Sequence, residues 1–421
     1  MFYEIKDLVT NQLTFSSGSF GNGIWDVYHG GCDIHDGKWY LSWNRYYDNN
    51  SNRKLFTGFC NLDGSEFVAF ERTSSYDSRL LDSLTRVYNN VVYVLSLPGA
   101  GASNNDLEIY TCNLDGSNWT NIITTTVSRP YSTIANSLTF DIVDDVIYIT
   151  MITNETNRGN QFRLITVTTS GINYVETVLR SNPHGTDEWG NHLSTGYEVK
   201  SKYHDGRIYY IFRESNLFYL SDAVFCSIKT DVSDLDFQAT TIYSCANDEE
   251  WSFHWSFSIS NNIVYLMYLW HTYTLIEDWW NTTEYLVTAT CELNGSNFNS
   301  TIQKEFEMNL SSTRVCDIII IGESIIYAIQ VETYDENWDW DWHGIVFCLG
   351  NTKSQDTFQL FYLGEGFYRV TSPLYQMQYN NGKVYLTFVD GNSTSNGSLW
   401  SGYFSLVGQV KKFLFKVPYR I

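Results

Sequence analysis

Seven short apolar segments recur along the chain, and each is centred on a tyrosine that follows a turn rich in Asp, Asn or Gly. The positions beside the tyrosine are apolar almost throughout, as in a strand buried on both faces. Successive tyrosines lie 53 to 62 residues apart, so the repeats fill the chain. Self-similarity on this scale predicts a repeat architecture, and a period of about 40 to 50 residues is typical of four-stranded propeller blades. The tyrosines are Tyr40, Tyr93, Tyr148, Tyr209, Tyr265, Tyr327 and Tyr385.

Each repeat is interpreted as four strands, A to D, of which the tyrosine strand is B. We therefore predict an all-β fold: a single seven-bladed β-propeller with four antiparallel strands per blade. The predicted blades cover residues 20–73, 76–126, 130–181, 192–244, 249–306, 311–363 and 368–418, and residues 1–19 are expected to help close the ring. Strand D is predicted to begin at one aromatic residue per repeat: Phe67, Trp119, Tyr174, Phe237, Phe298, Phe358 and Phe413.

A short phrase recurs between strands C and D: CNLDGSEFV from Cys60, CNLDGSNWT from Cys112 and CELNGSNFN from Cys291. Asp-Gly suits the positive φ angles of a tight turn, so the phrase predicts a hairpin. We place the cysteines at matching strand C positions, where Val167 stands in the third repeat, and interpret them as small apolar residues. Because they belong to different blades, we expect no disulfide among the eight cysteines. The strand C cysteines are Cys60, Cys112, Cys226, Cys291 and Cys348.

The tyrosine strand followed by Asn-Leu-Asp-Gly-Ser resembles the YWTD repeats of low-density-lipoprotein-receptor-type propellers and related bacterial propeller repeats. In those families the same phrase occupies the same hairpin. Residues Asn61–Ser65 and Asn113–Ser117 match it fully, and Leu293–Ser296 match it in part. The resemblance implies a propeller and carries over no binding residue.

The net charge and the hydropathy of the chain argue against two classes of partner, nucleic acids and membranes. The formal net charge of -21 disfavours binding to a phosphate backbone, so no nucleic-acid partner is expected. No apolar run is long enough to predict a membrane span. The first residues lack the basic and apolar regions of a secretory signal, so we expect synthesis in the cytoplasm. The protein is then expected either to stay there or to leave the cell without a signal, as virion proteins do on lysis. No cofactor is predicted. The chain contains no P-loop, nucleophile elbow, HExxH or CxxC motif.

Two predicted B–C loops, in repeats five and six, are rich in tryptophan and carboxylates. Exposed tryptophans beside carboxylates suit stacking against sugars or an aromatic protein interface. The alternative is that the aromatic rings only pack the two loops against each other. The candidate ligand-binding residues are Trp270, Tyr273, Trp279, Trp280, Trp338, Trp340, Trp342, Asp339 and Asp341.

Metal and catalytic chemistry have weaker candidates. Asp335, Asn337 and Asp339 alternate as in a calcium loop, but the glycine and the closing glutamate of such a loop are missing, so no metal site is predicted.

Two predicted D–A loops, residues 182–192 and 247–255, contain acid–base candidates. Two carboxylates at a suitable separation allow glycoside hydrolysis. These candidates are His184, Glu188, Glu249 and Glu250.

The main functional hypothesis is a non-enzymatic binding or structural propeller that recognises a glycan or a protein through its loop-rich face, as in a virion or phage appendage. One alternative is a glycoside hydrolase or lyase that uses carboxylates on the same face. Another is a cytosolic scaffold for protein interactions.

Overall fold

The computed structural model describes residues 2–13, 27–47, 52–72, 80–98, 106–126, 138–155, 159–182, 199–216, 220–244, 250–276, 279–307, 314–334, 340–352, 354–362, 376–392 and 395–409. These residues form seven antiparallel sheets of four strands each, arranged as a β-propeller, and no helix occurs among them. The predicted fold is therefore confirmed. Within this part of the chain, no helix offers the long apolar stretch that crosses a membrane.

Six blades follow the chain from the inner to the outer strand, and the seventh combines both ends of the chain. Blade 1 is β2–β5, blade 2 is β6–β9, blade 3 is β10–β13, blade 4 is β14–β17, blade 5 is β18–β21, blade 6 is β22–β25, and blade 7 is β26, β27, β28 and β1. The strands are β1 (Phe2–Leu13), β2 (Val27–His35), β3 (Lys38–Tyr47), β4 (Asn52–Asn61), β5 (Val68–Glu71), β6 (Leu80–Tyr88), β7 (Val91–Pro98), β8 (Asp106–Asn113), β9 (Thr120–Thr126), β10 (Leu138–Val143), β11 (Val146–Glu155), β12 (Gly159–Thr168), β13 (Val175–Asn182), β14 (Val199–His204), β15 (Arg207–Asn216), β16 (Leu220–Lys229), β17 (Gln238–Ser244), β18 (Glu250–Ser260), β19 (Ile263–Ile276), β20 (Trp279–Glu292), β21 (Asn299–Glu307), β22 (Arg314–Ile321), β23 (Ser324–Tyr334), β24 (Trp340–Asn351), β25 (Ser354–Tyr362), β26 (Gln376–Asn380), β27 (Lys383–Asn392) and β28 (Ser395–Gln409).

The A–B connections are two-residue turns in every blade. In six of them both turn residues have positive φ, as in Asp36–Gly37 and Asn89–Asn90, whereas blade 6 has positive φ at Gly322. Two consecutive positive φ angles define the turn whose twist matches that of the flanking strands. The Asp, Asn and Gly residues before each tyrosine strand therefore fix the hairpin register.

The C–D hairpins join neighbouring blades. In blade 2 the Asp115 carboxylate accepts hydrogen bonds from the Ser117 backbone N–H (2.9 Å) and hydroxyl (2.6 Å). Gly116 has a φ of 79°, and a Cβ atom placed there would lie 2.3 Å from the Phe70 ring of blade 1. Gly171 approaches Ile122 of the preceding blade in the same way. The recurring phrase thus encodes both a turn and a contact with the outer strand of the previous blade.

The hydrophobic core is divided among the spaces between blades. One cluster joins Tyr40 and Leu55 of blade 1 to Val92 and Val94 of blade 2, and similar clusters follow around the ring. Strand B contributes to the clusters on both sides of its blade, which explains its continuous apolar pattern.

The strand C cysteines occupy two register levels rather than the single level that was predicted. Cys60, Cys112, Cys291 and Val167 each pair with the second residue of strand B. Cys226 and Cys348 lie opposite Tyr210 and Tyr327, two residues further along strand B. All five are buried and form no disulfide, as is the case for Cys32.

The outermost strand of blade 7 is β1, which pairs with β28 from Phe2↔Gln409 to Leu13↔Leu399. The sequence had assigned this position to a strand beginning at Phe413, which lies outside the described residues. The assignment is corrected because β1 occupies that edge of β28 and completes the four-stranded sheet. Pairing between the two ends of the chain closes the ring.

Candidate functional site

The face that carries the B–C and D–A connections, here named the loop face, is raised at blades 5 and 6. There the predicted B–C loops are mostly strand: β19 and β20 pair up to Ile276↔Trp279, and β23 and β24 pair up to Tyr334↔Trp340. This corrects the expectation of irregular loops. Aromatic and β-branched residues favour the pleated conformation, so the sheet hydrogen bonding continues beyond the body of each blade.

The predicted ligand-binding residues follow these two hairpins where the structure describes them. Trp270 and Tyr273 lie in β19, Trp279 and Trp280 open β20, and Trp340, Asp341 and Trp342 open β24. Trp338 and Asp339 lie outside the described residues. The hairpins belong to adjacent blades, but the structure describes the side chain of Trp270 alone among the predicted residues.

The catalytic candidates are mostly outside the described part of the chain. His184, Glu188 and Glu249 fall there, as do the metal candidates Asp335, Asn337 and Asp339. Glu250 opens β18 and pairs with Thr272 of β19, so it belongs to a strand and not to the predicted D–A loop. The described residues contain no cluster of three or more His, Cys, Asp or Glu side chains arranged to hold a metal ion.

An aromatic cluster fills the space between blades 4 and 5 below the raised hairpin. The Trp255 ring stacks on Tyr268 with a centroid distance of 3.9 Å, and Tyr243 of blade 4 lies 5.6 Å from Tyr268. Above this pair, towards the loop face, Trp270 stacks on Tyr285 at 4.8 Å. Trp255 is 2% exposed, whereas Trp270 and Tyr285 are partly exposed. These five residues form what is called here the aromatic cluster.

The innermost strand beside the aromatic cluster is irregular at one point. Between Phe253 and Ser256 the β18–β19 register shifts, and His254 adopts a φ of 54°. Bulges of this kind re-aim side chains and are frequent near active sites. A left-handed conformation in a residue other than glycine is sparsely populated and persists where the surroundings hold it. His254, which adjoins Trp255, is therefore the described titratable side chain that stands out at this site.

The carboxylates of the other innermost strands serve to hold the blades together. Asp33 accepts a hydrogen bond from the Val87 backbone N–H at 2.8 Å, and Asp317 accepts one from the Met377 N–H at 2.9 Å. Asp317 also lies 3.5 Å from the Lys202 ammonium. Each carboxylate thus links its blade to the innermost strand of the next, and these groups are engaged in structural contacts.

The sequence drew attention to Trp270 but missed Trp255, Tyr268, Tyr243, Tyr285 and His254. Tyr243 and Trp255 belong to different blades, and their proximity depends on how two sheets pack. The bulge at His254 has no sequence signature beyond the presence of a residue that tolerates positive φ.

No protein-family model matches the chain, and no curated protein sequence matches it. The resemblance to YWTD-type repeats is accordingly supported only as far as the propeller fold.

Solved structures do match. The chain is similar to the polysaccharide lyase Uly1, with a TM-score of 0.55 and 10% identity over 93% of this chain and 94% of that one. It is also similar to an ancestral GH74 enzyme, with a TM-score of 0.53 and 11% identity over 98% of this chain and 52% of that one. An α-L-arabinanase from Penicillium chrysogenum, solved with arabinobiose, matches at a TM-score of 0.49 and 9% identity over 77% of this chain and 93% of that one. At these identities the similarity establishes the fold.

The comparison also corrects the main functional hypothesis. We expected a non-enzymatic binding or structural propeller, but the two structures described above with TM-scores of 0.55 and 0.53 are a polysaccharide lyase and a GH74 enzyme. The non-enzymatic hypothesis is therefore abandoned, and at 10–11% identity these matches show the shared fold alone. Nothing in these matches supports a virion or structural role. What the matching structures share with this chain is the β-propeller fold.

Proposed function

We propose that the protein is a polysaccharide-cleaving enzyme, a glycoside hydrolase or a lyase, that binds its substrate across the loop face at blades 4 and 5. The observation that carries the proposal is the left-handed bulge at His254 beside the aromatic cluster. Aromatic rings provide flat surfaces for the apolar faces of sugars. The carbohydrate-active enzymes that share the fold add support at the level of architecture.

We assign proton transfer to His254. Cleavage of a glycosidic bond requires a proton for the departing oxygen, and imidazole is the side chain that most often performs such transfers in enzymes. In hydrolysis, water supplies the oxygen that replaces the leaving group at the anomeric carbon. In elimination, a base removes the proton beside the carboxyl group of a uronic acid, and a double bond forms as the leaving oxygen departs. Glu188, Glu249 and Glu250 stay predicted candidates for the second proton-transfer group.

The test is incubation of the protein with a panel of neutral and uronic-acid polysaccharides. New reducing ends measure cleavage by either route, and ultraviolet absorbance of unsaturated sugar ends identifies elimination. We expect oligosaccharides to be released from at least one polysaccharide. Release from none of them would overturn the proposal.

A pair of histidine variants tests the assignment of the residue. Asparagine tolerates positive φ, so His254→Asn should keep the fold and lower the cleavage rate by about 10²- to 10⁴-fold. His204→Asn is the matched control, because His204 lies on the opposite face, where its Nε2 is 3.1 Å from Asn262 Oδ1. Equal activity of the two variants would remove His254 from the mechanism.

A further inference from the structure

Glu284 is a buried carboxylate that the proposed mechanism does not use. It lies in β20 and is 3% exposed. Among the described residues, Asp317 is the other buried carboxylate, and its hydrogen bond and ion pair serve the packing of the innermost strands. A carboxylate is almost never fully buried without a partner. The residues placed beside Glu284 therefore indicate what it does.

The residue directly opposite Glu284 in the sheet is a histidine. The β19–β20 ladder runs without a register shift over its whole length, and His271 of β19 pairs with Glu284 within it. Directly opposite residues of an antiparallel pair lie on one face of the sheet, with Cβ atoms about 4.5–5.5 Å apart. An imidazole and a carboxylate thus occupy neighbouring positions on the same face.

This face is the one that blade 5 presents to blade 6. Met267 and Leu269 of β19 and Leu286 of β20 belong to the core that the two blades share. Successive residues of a strand alternate between its faces, so His271 and Glu284 occupy the next positions of the same two rows. The pair therefore lies beside that core, on the side of the loop face, at the base of the raised hairpins.

The facing strands of blade 6 place a predicted ligand-binding residue beside the same gap. Ile329 belongs to the shared core, and the next rows towards the loop face are Val331↔Gly344 and Thr333↔Trp342. Gly344 adds no side chain to the gap, and Trp342 stands in the row beyond it. The two blades together bring a histidine, a carboxylate and a tryptophan position to one place on the loop face.

We infer that His271 is the general base of the proposed enzyme and that Glu284 is the positioning residue that orients its imidazole. A carboxylate that accepts a hydrogen bond from one ring nitrogen fixes the tautomer, leaves the other nitrogen to accept a proton, and stabilises the imidazolium that forms. The inference rests on the proposed function and names its second proton-transfer group. His254 lies in the neighbouring strand β18 and supplies the acid.

The same two histidines serve either route of cleavage. In hydrolysis, the oxygen of a water molecule bonds to the anomeric carbon while one of its protons passes to His271. In elimination, His271 removes the proton beside the carboxyl group, and the electron pair of that C–H bond forms the double bond. In both routes the bond to the leaving oxygen breaks and that oxygen takes a proton from His254. One proton then passes from His271 to solvent and one returns to His254, which restores the starting state.

Nuclear magnetic resonance of the intact protein, labelled with ¹⁵N in its histidine rings, tests the pair without any substrate. His271→Gln identifies the His271 signals. We expect one ring N–H proton of His271 to be protected from exchange and shifted downfield, as in a charge-assisted hydrogen bond, and to move upfield in Glu284→Gln. Absence of this signal from the intact protein would overturn the pair even if Glu284→Gln failed to fold. It would leave Lys304, which pairs with Leu286 on the same face, as the partner of the carboxylate.

Cleavage kinetics on the polysaccharide of the panel that is cleaved fastest test the catalytic role. His271→Gln should lower kcat by about 10²- to 10⁴-fold, the usual contribution of general base catalysis. Glu284→Gln should lower kcat by about 10- to 100-fold with KM unchanged, because the carboxylate acts through the imidazole. Glu292→Gln is the matched control: it removes a carboxylate from the opposite end of β20, where Oε2 lies 3.0 Å from the Ser296 hydroxyl, and should leave kcat unchanged.

The two experiments distinguish failure of this inference from failure of the proposed function. Cleavage at an unchanged rate in His271→Gln would overturn the general base and leave the proposed function standing. A protected N–H signal in a protein that cleaves no polysaccharide would refute the proposed function, and with it the role of the base, although the hydrogen-bonded pair itself would be real.

Discussion

At the scale of single residues, Gly116 combines a conformational requirement with a steric one. Gly37 has a similar positive φ of 73°, but a Cβ atom there would meet nothing within 4 Å. Gly37→Ala should therefore cost only the left-handed conformation, about 1–2 kcal/mol. Gly116→Ala should cost a further ~1–3 kcal/mol, because the methyl group would overlap the Phe70 ring. Urea denaturation of the two variants measures the difference in their free energies of unfolding. Equal losses of stability would show that the Phe70 ring moves aside at no measurable cost.

Cys60 gives a second prediction at the residue scale, one that depends on pH. Burial, and to a smaller extent the nearby charge of Asp63, raises the pKa of the Cys60 thiol from 9.0 to about 12. The unfolded chain therefore releases this proton at a lower pH than the folded chain, and the stability contributed by the neutral thiol is lost as pH rises from about 9 towards 12. Cys60→Val copies the third blade, where Val167 is 1% exposed at the equivalent position.

We expect Cys60→Val to change the free energy of unfolding by less than about 1.5 kcal/mol at neutral pH, because the two residues are similar in volume and apolar character. Above pH 9 the variant should lose stability less steeply than the parent, by up to about 1.4 kcal/mol per pH unit. Urea denaturation at a series of pH values measures both slopes. Parallel curves would contradict the pKa shift.

At the scale of structural elements, Arg72 fastens blade 1 to blade 2. Its guanidinium carbon lies 4.5 Å from the ring centroids of both Phe70 and Trp119, and its Nη2 donates to the Gly116 carbonyl at 2.8 Å. Lysine carries a compact ammonium group in place of the planar guanidinium, so it cannot stack between two rings and donate hydrogen bonds in several directions at the same time. Arg72→Lys should lower the free energy of unfolding by about 2 kcal/mol. A double-mutant cycle with Trp119→Leu should show a coupling energy, whereas additive effects would mean that the stacking contributes nothing.

At the scale of the whole molecule, the ring depends on pairing between β1 and β28. Deletion of residues 1–13 would expose the edge of β28, and an unpaired edge strand is a template for association with other chains. We expect the truncated protein to melt at a lower temperature or to aggregate. A circular permutant that begins between residues 14 and 26 and joins the original ends should retain the fold, because Phe2 and Gln409 are already paired. Size-exclusion chromatography and thermal melting compare the three proteins, and a stable monomeric truncation would contradict the role of β1.

The sequence by itself determined the repeat, the blade count and the hairpins. These features are local, because tyrosine strands, two-residue turns and the Asn-Leu-Asp-Gly-Ser phrase each specify a conformation within a few residues. It also singled out Trp270 and the aromatic segments of blades 5 and 6. It misjudged those segments as loops, because pairing between long strands extends beyond the turn signals on which the prediction depended.

Only the tertiary structure decided the rest. The sequence predicted that residues 1–19 help to close the ring, but which strand they pair with is a contact between opposite ends of the chain, and the structure shows it to be β28. The aromatic cluster joins Tyr243 of one blade to Trp255 and Tyr268 of the next. The left-handed conformation of His254 accompanies a register shift between β18 and β19. Contacts between sheets are fixed by the packing of whole blades around the ring, so no spacing within a single repeat specifies them.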